Sequence, residues 1–330
     1  MEVVFDRGIY LPELDLWLDS TRKRQKSVIS HAHSDHIARH SRPVVTPNTL
    51  LLLRDYLKKA DPILLPYGEP LESPTCSITM YPAGHCLGSA QTLVVSRATG
   101  HRLLYTGDIK TRSSPTNEPA EMVQADTLVI ECTYGRPEYV FPSQEQTLAT
   151  ASRTLRTWLA RGEKPVALGW RLGKAQEMLH HLLADGFEVV AEAGIYEAVL
   201  AYKEAGVDFP GKVTAFDGHW PDGTVALFPP GRSVQALGRF RNQRTMELTG
   251  WAVSGARRHW RRPADASLPY SDHADYNDLL AYVEAVQPSR VYTVYGFPEF
   301  SAKLRSMGYP AVHLDAKGAK ASAGFQMRMV

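Results

Sequence analysis

Three histidines and an aspartate fall within one short stretch, His31-Ala32-His33-Ser34-Asp35-His36. Residues 27–30 just before them read as a strand that runs into the cluster. Side chains on an extended segment alternate with period two, so His31 and His33 point the same way and both imidazoles can bind one metal ion. Asp35 and His36 fall where the chain is expected to turn toward a helix, which lets them face a second ion beside the first. Imidazole with carboxylate suits zinc or manganese, and neutral histidine is the commonest zinc ligand. The bland alternative is a solvated polar loop. So many ligand-type residues directly after an apolar strand argue against it.

Candidates for the remaining ligands stand at other strand ends. Pro82-Ala83-Gly84-His85 follows one strand, with Gly84 and Gly88 allowing close backbone approach. Thr106-Gly107-Asp108 follows another, and an aspartate there can bridge two ions with its two oxygens. Either residue alone reads as a turn residue. Together with the first cluster they meet the requirement that ligands converge. Three cysteines, Cys76, Cys86 and Cys132, form no CxxC pair. They read as small buried thiols, although Cys86 and Cys132 neighbour His85 and Glu131.

These residues must be positioned by alternating elements. A helix is expected at 49–59 and strands at 77–81, 92–96, 102–105 and 127–130, the last ending at Glu131. Polar groups that follow apolar strands in this way collect along one sheet edge. From Ser143 the texture changes to helix 144–160, strand 166–168, helix 174–184, strand 188–191 and helix 196–205. That alternation suggests a small α/β unit with a parallel sheet, closing near a strand-like stretch at 248–254. Helix 276–286, strand 290–294, helix 298–307 and a strand around Val312 follow. The middle segment reads as an insertion into a first domain.

The chain has 330 residues, of which 44% are hydrophobic and 22% charged, an ordinary globular composition. No run approaches the roughly 18 to 20 apolar residues of a membrane helix. Residues 1–10 are strand-like and lack the basic-then-apolar pattern of a secretory signal, so a cytoplasmic location is expected. The net charge of +2 is too small to indicate nucleic acid by itself. Its distribution says more. Arg232, Arg239, Arg241, Arg244, Arg257, Arg258, Arg261 and Arg262 lie in one segment against a single acid, Glu247. A second run, Arg22, Lys23, Arg24 and Lys26, precedes the histidine cluster. Solvated basic faces are the usual meaning of such runs; a polyanion path is the reading if both flank a catalytic site.

The order His-x-His-x-Asp-His, Gly-His, Gly-Asp resembles the metallo-β-lactamase fold. Glu131-Cys132-Thr133-Tyr134-Gly135 resembles motif A of its β-CASP nuclease branch, and Ser271-Asp272-His273-Ala274-Asp275-Tyr276 resembles motif B. Leu172-Gly173-Lys174-Ala175-Gln176-Glu177 resembles the helix-opening segment of the β-CASP insertion. The bacterial ligase-associated DNA exonuclease group is the most similar, over nearly the whole chain. The resemblance implies an α/β protein: an αββα sandwich, residues 1–138 and 263–330, carrying an inserted β-CASP domain at 139–262. It also implies a metal-dependent nuclease, a DNA exonuclease acting on single-stranded ends in repair, with a DNA ligase or other repair proteins as partners.

The implied centre holds two divalent ions, zinc or manganese. His31, His33 and His85 would hold the first, Asp35 and His36 the second, with Asp108 bridging, for in-line attack of water on phosphorus. His273 would protonate the leaving oxygen and Glu131 would orient it. Arg257 and Arg258 after Ser254-Gly255 are phosphate candidates, with Lys174 and Ser271 beside them. Trp251 and Trp260 read as stacking residues or, more simply, as core. One departure stands out. Many β-CASP nucleases have a histidine in motif C, where this sequence has Thr293-Val294-Tyr295-Gly296. A neutral phenol is a poor ligand, so the second ion should bind more weakly; the crosslink-repair branch also lacks that histidine. Three other readings remain: a ribonuclease of the same family, a thioesterase or lactonase of the same fold, and a non-catalytic nucleic-acid-binding subunit.

Overall fold

A computed structural model describes residues 1–254 and 264–315. Arg257, Arg258, Trp260, Arg261 and Arg262 lie outside the described residues. The chain is a mixed α/β protein that divides into two compact units. The first comprises Met1–Ser113, Glu118–Pro137 and the chain from His273; the second comprises Ser114–Asn117 and Glu138–Asp272.

The first unit holds two sheets. One runs in sequence order through β1 (Val4–Phe5), β2 (Ile9–Leu11), β3 (Leu16–Leu18), β4 (Lys26–Val28), β5 (Arg42–Val45) and β6 (Ile63–Leu64). The other contains β7 (Pro70–Glu72), β8 (Cys76–Pro82), β9 (Ala90–Ser96), β10 (Arg102–Tyr105) and β11 (Thr127–Glu131). The second unit contributes β12 (Lys164–Leu168), β13 (Val189–Ala191), β14 (Val213–Ala215), β15 (Val225–Phe228), β16 (Gln243–Leu248) and β17 (Ala266–Leu268). The chain then returns to the first unit with β18 (Arg290–Val294) and β19 (Ala311–His313), which extend the second sheet in the order β19-β18-β11-β10-β9-β8-β7.

Alternation assigns the faces of that second sheet. Leu103 and Tyr105 of β10 and Val129 of β11 join Ile9, Leu18 and Val44 of the first sheet in one shared core. Leu104, Leu128 and Ile130 face the other way, against Leu279 and Val283 of α5 (Tyr276–Val286) and Phe300 of α6 (Glu299–Ser306). Strands β10, β11 and β18 are parallel, so their carboxyl ends share one edge. Asp108, Glu131 and Tyr295 therefore follow neighbouring strand ends.

The second unit is a parallel sheet, β14-β13-β15-β12-β16-β17, with α2 (Gln144–Ala160), α3 (Lys174–Ala184) and α4 (Ala193–Glu204). Its closing boundary differs from the expected 262/263. Residues 266–268 pair with β16, which keeps the chain in this unit through Asp272. The strand expected at 248–254 is also corrected. Pairing with β12 ends near Leu248, and Gly250–Ser254 forms a 3-10 turn instead. The helix expected at 49–59 is α1 (Pro47–Leu53): Thr46 caps it by accepting from Thr49 N, and Pro47 opens it. No helix forms directly after His36, and the chain passes irregularly into β5, whose Pro43 masks its strand character in the sequence.

Just beyond the ends of the parallel strands β11 and β18 the two segments approach closely. A Cβ on Gly296 would lie 1.9 Å from Cys132 O, a backbone atom that no rotamer change can move away. Gly296→Ala is expected to destabilise by about 1–3 kcal/mol or more. The urea midpoint measures this, and an unchanged midpoint contradicts the close approach.

Candidate metal centre

The expected ligands converge on one carboxylate oxygen. Asp108 Oδ2 lies 3.5 Å from His31 Nε2, 3.5 Å from His36 Nε2 and 3.7 Å from His85 Nε2. His85 Nε2 is in turn 3.0 Å from His33 Nδ1. Ligand-type atoms of His31, His33, His85 and Asp108 all lie within 4.8 Å of one another. Gly84 sets the His85 loop against the Asp108 loop. Its φ is 75, and a Cβ there would sit 2.1 Å from Lys110 O. Asp35 is exposed and belongs to no such cluster. Desolvation raises its carboxyl, but His36 and His33 outweigh that and lower its pKa.

A residue absent from the sequence reading organises this set. Asp19, 1% exposed, accepts Ser30 N at 2.7 Å on Oδ1. Its Oδ2 accepts Ser30 Oγ at 2.5 Å, His36 Nδ1 at 2.8 Å and Tyr105 OH at 2.7 Å. These bonds fix tautomers by elimination. Asp19 accepts from His36 Nδ1, which keeps its hydrogen there and aims Nε2 at Asp108. Ser30 gives its only hydroxyl hydrogen to Asp19, so toward His31 Nδ1, 2.9 Å away, it can only accept. His31 must then carry its proton on Nδ1, leaving a lone pair on Nε2. That atom is buried and has no hydrogen-bond partner among the described residues. A bare nitrogen lone pair facing a carboxylate oxygen is costly without a donor or a cation between them. The residues present therefore fit a divalent ion, with the second ring nitrogens held as such a site needs.

The charge states of the metal-free centre differ from residue to residue. Burial pulls the His31 pKa far below its ordinary value, which keeps the imidazole neutral. Burial also opposes protonation of His36, but Asp108 and Asp19 outweigh it and raise its pKa to about 10. Burial, with Glu131 adding to it, pushes Asp108 up to about 7.

Beside the cluster stands a second pair. His273 Nδ1 lies 2.8 Å from Glu131 Oε1 and 3.1 Å from Oε2. Glu131 also accepts from Ile109 N at 2.8 Å and from the Thr133 hydroxyl. Burial acts to raise the Glu131 pKa, but His273, Thr133 and Ile109 N together bring it below its ordinary value. The His273 ring packs 4.6 Å from that of His85, centroid to centroid. Its loop is stitched down on both sides. Ala274 N donates to Ile109 O at 2.7 Å, and Asp275 caps α5 in a reciprocal box with Asp278 while binding Arg112.

The remaining candidates are placed differently. Lys174 is buried at the start of α3, and its Nζ lies 3.1 Å from Asp272 Oδ1, so its charge is already paired. Ser271 is buried, and Ser254 is exposed with its hydroxyl donating to Trp251 O at 3.2 Å. Trp251 is half-buried and meets Tyr139 edge-on. In the basic run before the histidines, Arg22 and Arg24 pair with Asp6, and Arg24 covers Trp17. All three cysteines are buried, form no disulfide among the described residues and lie outside their ligand clusters. Burial drives the Cys132 thiol far above its ordinary pKa, unsuited to ligation or redox chemistry.

No protein-family model matches the chain. Among curated proteins it is similar to a probable DNA ligase of Opitutus terrae, 39% identical over 94% of this chain and 31% of that protein. It is 30% identical to transcription termination factor FttA of Methanocaldococcus jannaschii over 52% of this chain and 32% of that protein. It is also 25% identical to 5′ exonuclease Apollo of Mus musculus over 87% of this chain and 54% of that protein. The chain thus spans about a third to about half of the length of these relatives.

Asp19→Ala is expected to lower unfolding free energy by about 3–5 kcal/mol, because it strands a buried cation and three further donors. The pH dependence has a definite sign. His36 has a raised folded pKa, so its contribution is complete below its ordinary pKa of about 6.5 and is lost as pH rises through about 10. Urea titrations in chelator should therefore show the wild type weakening across that window and Asp19→Ala weakening less. Equal stability and equal pH slopes contradict the role given to Asp19.

Proposed function

We propose that this chain, which belongs to the metallo-β-lactamase-fold β-CASP nuclease family, is a metal-dependent phosphodiester hydrolase that degrades single-stranded DNA ends in repair. The observation that carries the reading is the convergence of three imidazole nitrogens on Asp108 Oδ2, with His31 Nε2 buried and without a hydrogen-bond partner among the described residues. The fold reading that goes with it is an αββα sandwich with an inserted β-CASP domain, which the shared core of two sheets and the separate parallel sheet support.

In this reading His31, His33 and His85 would hold one zinc or manganese ion, Asp35 and His36 would hold a second more weakly, and Asp108 would serve both. Divalent ions bound there would lower the pKa of water to about 7 and neutralise phosphate oxygens. The protein supplies orientation and protons. Glu131 holds His273 through Nδ1, which leaves Nε2 as the nitrogen that would serve the leaving oxygen. Ile109 N and the Thr133 hydroxyl keep the Glu131 carboxylate from rotating away. Ser254, Ser271, Arg257 and Arg258 remain the phosphate contacts of the reading. Lys174 is its weakest member, because Asp272 already takes its charge.

The polymer is assigned through relatives. Apollo is named a 5′ exonuclease and another relative, from Gallus gallus, a DNA cross-link repair protein. A DNA ligase is the partner named by this reading, since a stretch similar to 94% of this chain makes up 31% of the probable DNA ligase. A cytoplasmic location belongs to the same reading. Three buried cysteines outside any disulfide accord with a reducing compartment, and no helix among the described residues is long and apolar enough to cross a membrane.

End-labelled single-stranded DNA and matched RNA, offered to metal-free protein resupplied with zinc, manganese or magnesium, test the proposal. Loss from one end of DNA is expected, abolished by Asp108→Ala and slowed about 10²–10⁴-fold by His273→Ala. Preference for RNA would make the chain a ribonuclease. Folded protein that binds both polymers and cleaves neither under any metal would make it a non-catalytic subunit.

A further inference from the structure

Two tyrosines meet beside His36 without a part in the chemistry above. Tyr105 ends β10 on the face of the shared core and is fully buried. Its hydroxyl donates to Asp19 Oδ2, the oxygen that also holds His36 Nδ1. Tyr295 follows β18, and its hydroxyl oxygen is 3.4 Å from that of Tyr105. A hydroxyl has one hydrogen, and that of Tyr105 is committed to the carboxylate, so Tyr295 is the donor across this longer contact. The Tyr295 ring stands edge-on to the His36 imidazole, centroids 5.1 Å apart, and edge-on to Phe5 at 5.7 Å.

The backbone marks the same residue. Tyr295 has φ 54, a left-handed conformation unusual for a bulky side chain and typical of positions that their surroundings over-determine. Its carbonyl lies 3.2 Å from the Thr133 hydroxyl that also holds Glu131. One residue thus touches the support of His36 through its side chain and the support of His273 through its backbone.

We propose that Tyr105 and Tyr295 are positioning residues for His36, forming a relay in which Tyr295 orients Tyr105, Tyr105 fixes the Asp19 carboxylate, and Asp19 aims His36 Nε2 at Asp108. The relay rests on the metal-centre reading above. Tyr295 acts on the affinity of the site through hydrogen bonds and ring contact and does not itself ligate. The exposed Asp35, on the same side, gives no such fixed support, so the rigidity of His36 carries more of the binding.

Zinc affinity by chelator competition, together with the visible spectrum of the cobalt(II)-loaded protein, tests the relay in wild type, Tyr105→Phe and Tyr295→Phe. Both variants keep the ring and lose only the hydroxyl, and thermal melts of the metal-free proteins check the fold. Tyr105→Phe is expected to weaken zinc binding about 10–100-fold and to shift the cobalt bands. Tyr295→Phe should shift both readouts in the same direction by less, because its ring still holds His36. Folded variants with wild-type zinc affinity and unchanged cobalt spectra overturn the relay while leaving the metal centre standing. A wild-type protein that binds neither zinc nor cobalt overturns the relay and the metal-centre reading together.

Discussion

The pocket depends on one buried carboxylate. Asp19 is nearly inaccessible to solvent, yet it receives four hydrogen bonds, from Ser30 N, Ser30 Oγ, His36 Nδ1 and Tyr105 OH. An anion so buried is tolerated only because every strong acceptor position is filled by a donor. The consequence reaches beyond its own neutralisation. By accepting one hydrogen bond directly and directing another through Ser30, Asp19 decides which nitrogen of His36 and of His31 carries hydrogen. The Nε2 atoms of both imidazoles then point to the same Asp108 oxygen, that of His31 as a lone pair and that of His36 carrying a proton that a bound metal ion would displace.

The two sheets supply what a single loop cannot. Asp19 and the histidine cluster flank strands of the first sheet, and Tyr105 and Asp108 belong to the end of one strand in the second. The shared core of apolar residues holds those sheets in register, so the Asp19 network bridges them where the strands run out. Period-two alternation does the rest. Tyr105 points into the shared core toward Asp19 while Leu104 packs toward α5 and α6. On the far side, Glu131 and His273 are fixed by bonds to Ile109, Thr133 and the capped start of α5. Hydrogen bonds therefore hold His36 and His273 through their Nδ1 atoms, one on each carboxylate.

Much of this was legible because ligand-type residues directly after apolar runs are rare and local. His31, His33, His36, His85, Asp108 and Glu131 carry that signature, and the helices at 144–160, 174–184 and 276–286 were legible from their period; His273 was legible only through the resemblance of its segment to motif B. Asp19 carries the signature too, after Leu-Trp-Leu, but a single acid before a serine in a left-handed turn reads as a turn residue. Its importance lies in contacts with residues far along the chain, above all Tyr105, which no spacing rule reaches. Short strands were hidden for similar reasons: Pro43 interrupts one, and polar Gln243, Arg244 and Glu247 disguise another whose pairing is set by its neighbours. The boundary of the inserted unit was misjudged because strand 266–268 is recognisable only by the partner it pairs with.

The most direct measurement of the central claim is the protonation pattern of the imidazoles, read from ¹⁵N-labelled histidine by long-range proton–nitrogen correlation in zinc-loaded protein. The account predicts that His31 and His36 each carry hydrogen on Nδ1, with Nε2 shifted as a ligating nitrogen, and that Asp19→Asn disturbs both rings. Hydrogen on Nε2 of either ring, or a wild-type pattern in Asp19→Asn, would contradict it.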